Sequence, residues 1–419
     1  MNQTLLNEFK QQLYSKGWNQ NDLAAYSGIH VSDISRVFLN KKVLSFHYLN
    51  DITRAFGLPE QTYYIQYAQL CFNRNNYLDK RRSSAYIYRC AVKNYHNELD
   101  FMLTLILEER SKSVRTKNLQ TLFLVSEKLF EDGYDKETIP IYQTIIDHMP
   151  DDNTEEVAIS YFRKFYINRF TIDGQLAIRQ VIENIGNMPE EFQEQTYLWL
   201  MATYYILKKW EDVLHYANRL EKISSSPENL GRALLYQCFA LSNLGSTLEV
   251  ILDRIDRYAV INDYYAELAI GNRYVALIEF GQYQYVDDYF NWLSNRDDFY
   301  IGVPKILNTF LKMDRLDDAN KLIEIYNDEL IKLSSSSDLY KQQLYNDYCY
   351  HYAIFLCERK DFHSGLIELI NVAERSKKNC YSEKFLQSIL ALWKYRDYFN
   401  SEIEGKYIQM LSGTKNVDK

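Results

Sequence analysis

QNDLAAYSGIHVSDISRVFLNKK, residues 20–42, decides how the chain begins. Leu23, Ala24 and Ala25 belong to one short apolar-spaced segment, and Val31, Ile34, Val37 and Phe38 to the next. Between them Gly28 permits a sharp turn that a side chain would obstruct. Two short helices joined through such a turn make a helix-turn-helix unit. Upstream, Leu5, Leu6, Phe9 and Leu13 recur at helical spacing and Lys16-Gly17 ends that helix. Downstream, Phe46, Leu49, Ile52 and Phe56 mark a fourth helix closed by Gly57 and Pro59. The spacing therefore predicts a small helical domain over residues 1–60.

Gln20, Leu23-Ala24, Gly28, Ile34-Ser35-Arg36 and Lys41-Lys42 resemble the repressor-type (Xre/Cro) helix-turn-helix family of bacteria and phages. The departure is Asn40, where that family usually has glycine; asparagine also tolerates a left-handed backbone, so the cap survives. The resemblance implies that the third helix lies in the major groove with Val31, Ser32, Ser35 and Arg36 towards base edges. Arg36 suits a bidentate guanine contact and Val31 a thymine methyl. Gln20 would bind phosphate, and Lys41 and Lys42 would add sequence-independent charge. Asp33 receives no specific role. Relatives of this module act as dimers on paired half-sites, so the rest of the chain is expected to hold two copies together.

Charge agrees with a nucleic-acid end. From Met1 to Lys93 there are 12 Lys and Arg against 6 Asp and Glu, whereas the remainder carries 36 against 50. A basic head on an acidic body points to different partners at the two ends.

The remaining residues, 61–419, read as helix throughout. Glycine is 14 and proline 6 of 419, too few for the turns of an all-β protein or the glycine-rich loops of a doubly wound enzyme. Tyrosine is 37, which suits helix seams and wet grooves. Leu316, Ala319, Leu322, Ile323, Tyr326, Leu330 and Leu333 form one apolar stripe. Serine runs at Ser224 to Ser226 and Ser334 to Ser337 interrupt the pattern as loops. Short polar turns followed by a helix start recur near Tyr134, Gly174, Trp210, Thr247, Tyr285, Leu316 and Phe362, and alternate anchors from Tyr134 lie 75 to 77 residues apart. Helix pairs at this period are the mark of tetratricopeptide-like solenoids. The expected fold is all-α: the helix-turn-helix domain, then a helical-repeat solenoid.

A solenoid presents a concave surface. Asparagine there can donate to and accept from the backbone of an extended peptide. Candidates on the expected first helices of pairs are Asn168, Asn243, Asn272 and Asn308, with Arg232 and Tyr236 nearby. The acidic body favours a peptide carrying positive charge. Phe385, Ile389, Leu392 and Trp393 offer an apolar seam for a dimer, or a cap over the last repeat.

Catalytic and cofactor chemistry finds no foothold. There is no G-x-x-x-x-G-K-[ST], no G-x-G-x-x-G, no H-E-x-x-H and no zinc spacing among the six cysteines. His351 and His363 sit in tyrosine-rich helices and read as packing residues, and Cys349 and Cys357 as core. The expectation is no enzyme, no metal and no cofactor. The opening MNQTLLNEFKQQLY has no apolar signal core and no run is long enough to span a bilayer, so a cytoplasmic protein with reduced thiols and no membrane partner is expected.

A repressor-type head before a long helical-repeat domain resembles the peptide-pheromone receptors of Gram-positive bacteria, the Rap–Npr–PlcR–PrgX superfamily. The stretch YYIQYAQLCFNRNNYLDKRRSSAYIYRCAVKNYHNELDFMLTLI, from Tyr63, looks most like the arbitrium receptors that govern lysogeny in temperate phages. The resemblance implies a homodimeric quorum-sensing transcription regulator that binds operator DNA and takes a short signalling peptide into its repeat groove. The alternative is a helical-repeat interaction module with a vestigial DNA-binding head. Arg36, Lys41 and Lys42 argue against a vestigial head, which has no need of a basic surface.

Overall fold

The computed structural model describes residues 3–169, 171–336, 338–379 and 381–412. Among these the chain is all-α, with one isolated bridge between Phe72 and Leu78 in place of any strand. It divides into two compact units, residues 1–196 and 197–419.

The first unit opens with α1 (Gln3–Lys16), α2 (Gln20–Ser27), α3 (Val31–Phe38) and α4 (Phe46–Ala55). Local chemistry sets each boundary. The Asn19 side chain accepts from the N–H groups of Asn21 and Asp22, and the Asp22 carboxylate accepts from the Asn19 N–H, a reciprocal cap on α2. Gly28 ends α2 in the left-handed region at φ 74°. Asn40 follows α3 at φ 59°, so the asparagine does adopt the conformation the sequence required of it. Ser45 caps α4 through the Tyr48 N–H.

Leu5, Phe9, Leu23, Ile34, Val37, Leu49 and Ile52 are buried together and close the four helices around one core. That core does not stop at residue 60. The Phe46 ring packs on Tyr64, Tyr67 and Tyr86 at 5.1, 5.5 and 5.6 Å, and one apolar cluster runs from Leu5 to Ile159. The helices that share it are α5 (Tyr64–Ala68), α6 (Lys80–Val92), α7 (His96–Leu107), α8 (Lys112–Glu131), α9 (Asp135–His148) and α10 (Glu155–Asn168). The packing thus divides the chain far beyond the residue-60 edge, which marks the end of the helix-turn-helix motif instead. The reason is aromatic: tyrosines of α5 and α6 complete the head's interior. This unit also holds α11 (Ile172–Asn184) and the start of α12 (Glu190–Ile206).

The second unit continues with α13 (Trp210–Ile223), α14 (Pro227–Asn243), α15 (Leu248–Ala259), α16 (Asp263–Glu279), α17 (Val286–Leu293), α18 (Val303–Lys312), α19 (Leu316–Lys332), α20 (Leu339–Glu358), α21 (Phe362–Lys378), α22 (Ser382–Lys394) and α23 (Ser401–Ser412). Each helix from α13 to α21 packs on the next, and short turns make neighbours antiparallel. Trp210, Thr247, Tyr285, Leu316 and Phe362 fall at the starts of α13, α15, α17, α19 and α21, the second helices of successive pairs. The repeat read from the sequence is therefore the repeat of the fold. Within this unit the end of α12 meets α20 and α22: Gln343 donates to the Ile206 carbonyl at 3.0 Å, and Lys208 lies 3.4 Å from Glu383. First helices meet across the coil, so their face is its inside. Cys238, Cys349 and Cys357, like Cys71 and Cys90 in the first unit, are buried and unbridged. Cys380 and Ser337 lie outside the described residues.

Candidate functional site

The helix-turn-helix separates two faces of α3. Ile34 and Val37 point into the core, each about 1% exposed. Val31, Ser32 and Arg36 are exposed and Ser35 is half-buried. A helix with period 3.6 that buries positions 34 and 37 must turn 32, 35 and 36 outward, so the candidate base-reading residues share a free face. Arg36 makes no ion pair among the described residues. Gln20 is the first residue of α2 and half-exposed, and Lys41 is exposed just past the left-handed Asn40.

Three features of this face were not legible in the sequence. Lys42 does not stand free: its Nζ lies 2.9 Å from the Asp33 carboxylate. The Tyr48 hydroxyl donates to the same carboxylate at 2.7 Å. Lys42 and Tyr48, as hydrogen-bond donors, hold the Asp33 carboxyl below the usual range, and Asp33 holds the Lys42 ammonium above its own. Asp33, left without a role by the sequence, thus ties α3 to the loop and to α4. Third, His30 caps α3: its Nδ1 accepts from the Ser32 N–H and lies 2.7 Å from the Ser32 hydroxyl. The candidate contact Ser32 is therefore already oriented by a neighbour.

The repeat candidates scatter more widely. Asn168 ends α10 in the first unit, donates to the Lys164 carbonyl at 3.1 Å, and borders a cavity of about 400 Å³. In the second unit Asn243 likewise donates one turn back, to the Phe239 carbonyl at 2.8 Å. The Asn272 amide donates to the Tyr258 hydroxyl at 2.9 Å, joining α16 to α15. Each of these amides gives one N–H to the chain itself, of the two donors and one acceptor oxygen it carries. Arg232 and Tyr236 do share a face of α14. Arg232 pairs with Glu228 at 3.0 Å, and Tyr236 stacks edge-on with Tyr205 at 5.3 Å, beside Phe239. Tyr340 of α20 closes on the Tyr205 ring at 6.3 Å, so aromatic side chains fill the coil here. Asn308 stands apart, on a second cavity of about 470 Å³ formed by α18, α20 and α22. Its lining includes Lys312, Tyr350 and His351, none of which the sequence marked as ligand-facing.

The expected dimer seam needs correction. Leu392 has no exposed surface and packs with Leu366, Leu369 and Ala391; Phe385 and Ile389 are partly buried against the same cluster. These residues fix α22 onto the last repeats. The apolar stripe that α22 leaves open is Leu386, Leu390 and Trp393, each about 60% exposed. Of the four expected residues only Trp393 lies on it.

Among the described residues no helix is long and apolar enough to cross a membrane, and no group of His, Cys, Asp and Glu is placed to hold a metal ion. No protein-family model matches the chain, and no curated protein matches it. Among solved structures, Bacillus thuringiensis PlcR in complex with the peptide PapR7 and DNA is similar at 16% identity, covering 64% of this chain and 98% of that one, with a TM-score of 0.25. A likeness of that size carries no argument about function.

Proposed function

We propose that the chain is a peptide-responsive, DNA-binding transcription regulator of the quorum-sensing kind, with residues 1–60 reading DNA and residues 61–419 binding a short peptide and a second copy of the chain. The observation that carries this reading is the free face of α3. A helix held in a helix-turn-helix by Ile34 and Val37 presents Val31, Ser32, Ser35 and Arg36 together. Such a face matches the way a recognition helix meets base edges. Lys41 supplies phosphate attraction beside it.

The repeat half supports the second part. Helical-pair solenoids bind extended ligands on their inner surface, and the inner face of the second unit offers Asn308, with Arg232 beside the ring cluster that holds Tyr236. The open stripe of Leu386, Leu390 and Trp393 supports homodimer formation, which would place two heads on paired half-sites. On this reading the protein is a cytoplasmic regulator of the arbitrium type, with no enzymatic activity and no cofactor. The pairing of Lys42 with Asp33 favours the other reading, a protein-interaction module with a vestigial head, because it removes one cation from the DNA face.

Selection of duplex DNA from a random pool by the full chain separates the two. A shared motif, lost or relaxed at one base position in Arg36→Ala, supports the regulator. Recovery of no preferred sequence at low salt supports the vestigial head.

A further inference from the structure

The interior of the second unit is divided. At one end Tyr205, Tyr236, Phe239 and Tyr340 occupy it with their own rings. At the other end α18, α20 and α22, alternate helices that share the inner face, leave the cavity of about 470 Å³. Polar groups line this cavity, and several have nothing to bond. The Asn308 amide and the His351 imidazole have no hydrogen-bond partner among the described residues. The Lys312 ammonium has no carboxylate partner among them; it lies 5.7 Å from the centre of the Tyr283 ring. These donors, with Lys312 exposed and Asn308 and His351 half-buried, are free to bond an acceptor that enters the cavity.

The carboxylates at the cavity do not answer that need equally. Glu358 already accepts from the Tyr395 hydroxyl at 2.6 Å and from Lys394 at 3.3 Å. Asp314, in the turn after α18, is an exposed carboxylate of the same lining and makes no ion pair among the described residues. His351 is surrounded by positive charge. Burial, then Lys384, Lys305 and Lys312, push its imidazole well below the usual range. Lys384 is paired with Asp347 and Lys305 with Glu279, which leaves Lys312 as the uncompensated cation of the group. The ring is therefore neutral near pH 7 and carries one N–H donor.

We propose that this cavity receives a carboxylate of the peptide ligand, either its C-terminus or an Asp or Glu side chain, with Lys312 supplying charge and Asn308 and His351 supplying hydrogen bonds. The proposal rests on the reading of the second unit as a peptide receptor and adds the anchor. It is compatible with a cationic peptide, since the anchored group occupies one end only. The lining sets Lys312 and Lys394 against Asp314 and Glu358, so its formal charge is balanced where the body as a whole is acidic.

Three random hexapeptide pools test it with the full-length protein: free C-terminal acids, C-terminal amides, and free acids lacking Asp and Glu. Affinity selection and mass spectrometry measure what is retained. Loss of a charge-assisted hydrogen bond costs about tenfold or more in affinity, so retention should fall by that factor when the anchoring carboxylate is missing. A drop with the amides assigns the C-terminus; a drop with the third pool assigns a side chain. Lys312→Met, and separately the near-isosteric Asn308→Asp, should abolish the preference while circular dichroism stays unchanged. Equal retention of all three pools, unaltered by either variant, overturns the anchor and leaves the receptor reading intact. No retention of any pool by the wild-type chain overturns both.

Discussion

Asp33→Asn isolates the electrostatics of the DNA face. In the structure the Asp33 carboxylate binds Lys42 at 2.9 Å and accepts from Tyr48 at 2.7 Å. Asparagine keeps an acceptor for Tyr48 but removes the charge, so Lys42 is released while α3 stays tied to α4. In the wild-type structure the Lys42 ammonium also lies 5.0 Å from the centre of the Tyr48 ring, a weak contact that a phosphate can replace. One freed lysine adds one phosphate contact per head, which steepens the salt dependence of log K by about 0.9. Between about 50 and 200 mM salt the variant should lose about 3.5-fold more affinity than wild type, starting from tighter binding at low salt. Fluorescence anisotropy with a nonspecific duplex, at five or so salt concentrations, reads this slope. Lys42→Ala in the same background should restore the wild-type slope. An unchanged slope in Asp33→Asn would refute the claim that this carboxylate competes with DNA for Lys42. The pair also has an acid limit: the folded-state pKa of Asp33 lies below 3.8, so its contribution is present above that value and is lost as pH falls through the lowered one.

Three further outcomes follow from the packing. Phe9→Ala removes a fully buried ring that meets Phe56 and Tyr63 edge-on at 5.9 and 5.2 Å; urea denaturation should show a loss of about 3–5 kcal/mol. Gly28→Ala meets no heavy atom within 4 Å, so its cost is torsional, about 1–2 kcal/mol in thermal melts, with Gly28→Asn costing less. On the proposed dimer, Leu386→Glu places a charge in the open stripe of α22 away from the cavity lining and should shift sedimentation velocity from dimer to monomer, whereas Leu392→Ala should destabilise each subunit.

The head was legible because its signals are local. Apolar spacing, Gly28 and Asn40 each act within one or two turns, and each appears where the sequence implies. The repeat was legible for the same reason, since every second helix begins after a short polar turn. The seam was not. On α22 the residues 385, 389 and 392 and the residues 386, 390 and 393 form two apolar stripes offset by one position. Periodicity finds both and cannot say which one the last repeat covers. The continuation of the apolar core past residue 60 was hidden because Tyr64, Tyr67 and Tyr86 look like repeat residues until their rings meet Phe46. The cavity near His351 draws on helices dozens of residues apart, and only the coil brings Asn308, Lys312 and His351 to one wall. Asp33 and Tyr48 are joined across fifteen positions, beyond any helical spacing.

On the proposed function, occupancy of the repeat half alters DNA binding by the head. It is tested most directly by anisotropy titration of the selected duplex, with and without a saturating hexapeptide recovered from the pools. Coupling between sites amounts to roughly 5–150-fold in affinity for working allosteric proteins. Peptide should shift duplex affinity by at least about fivefold, matched by an equal shift in peptide affinity when the duplex is present. Tight binding of both ligands with neither affecting the other would contradict it.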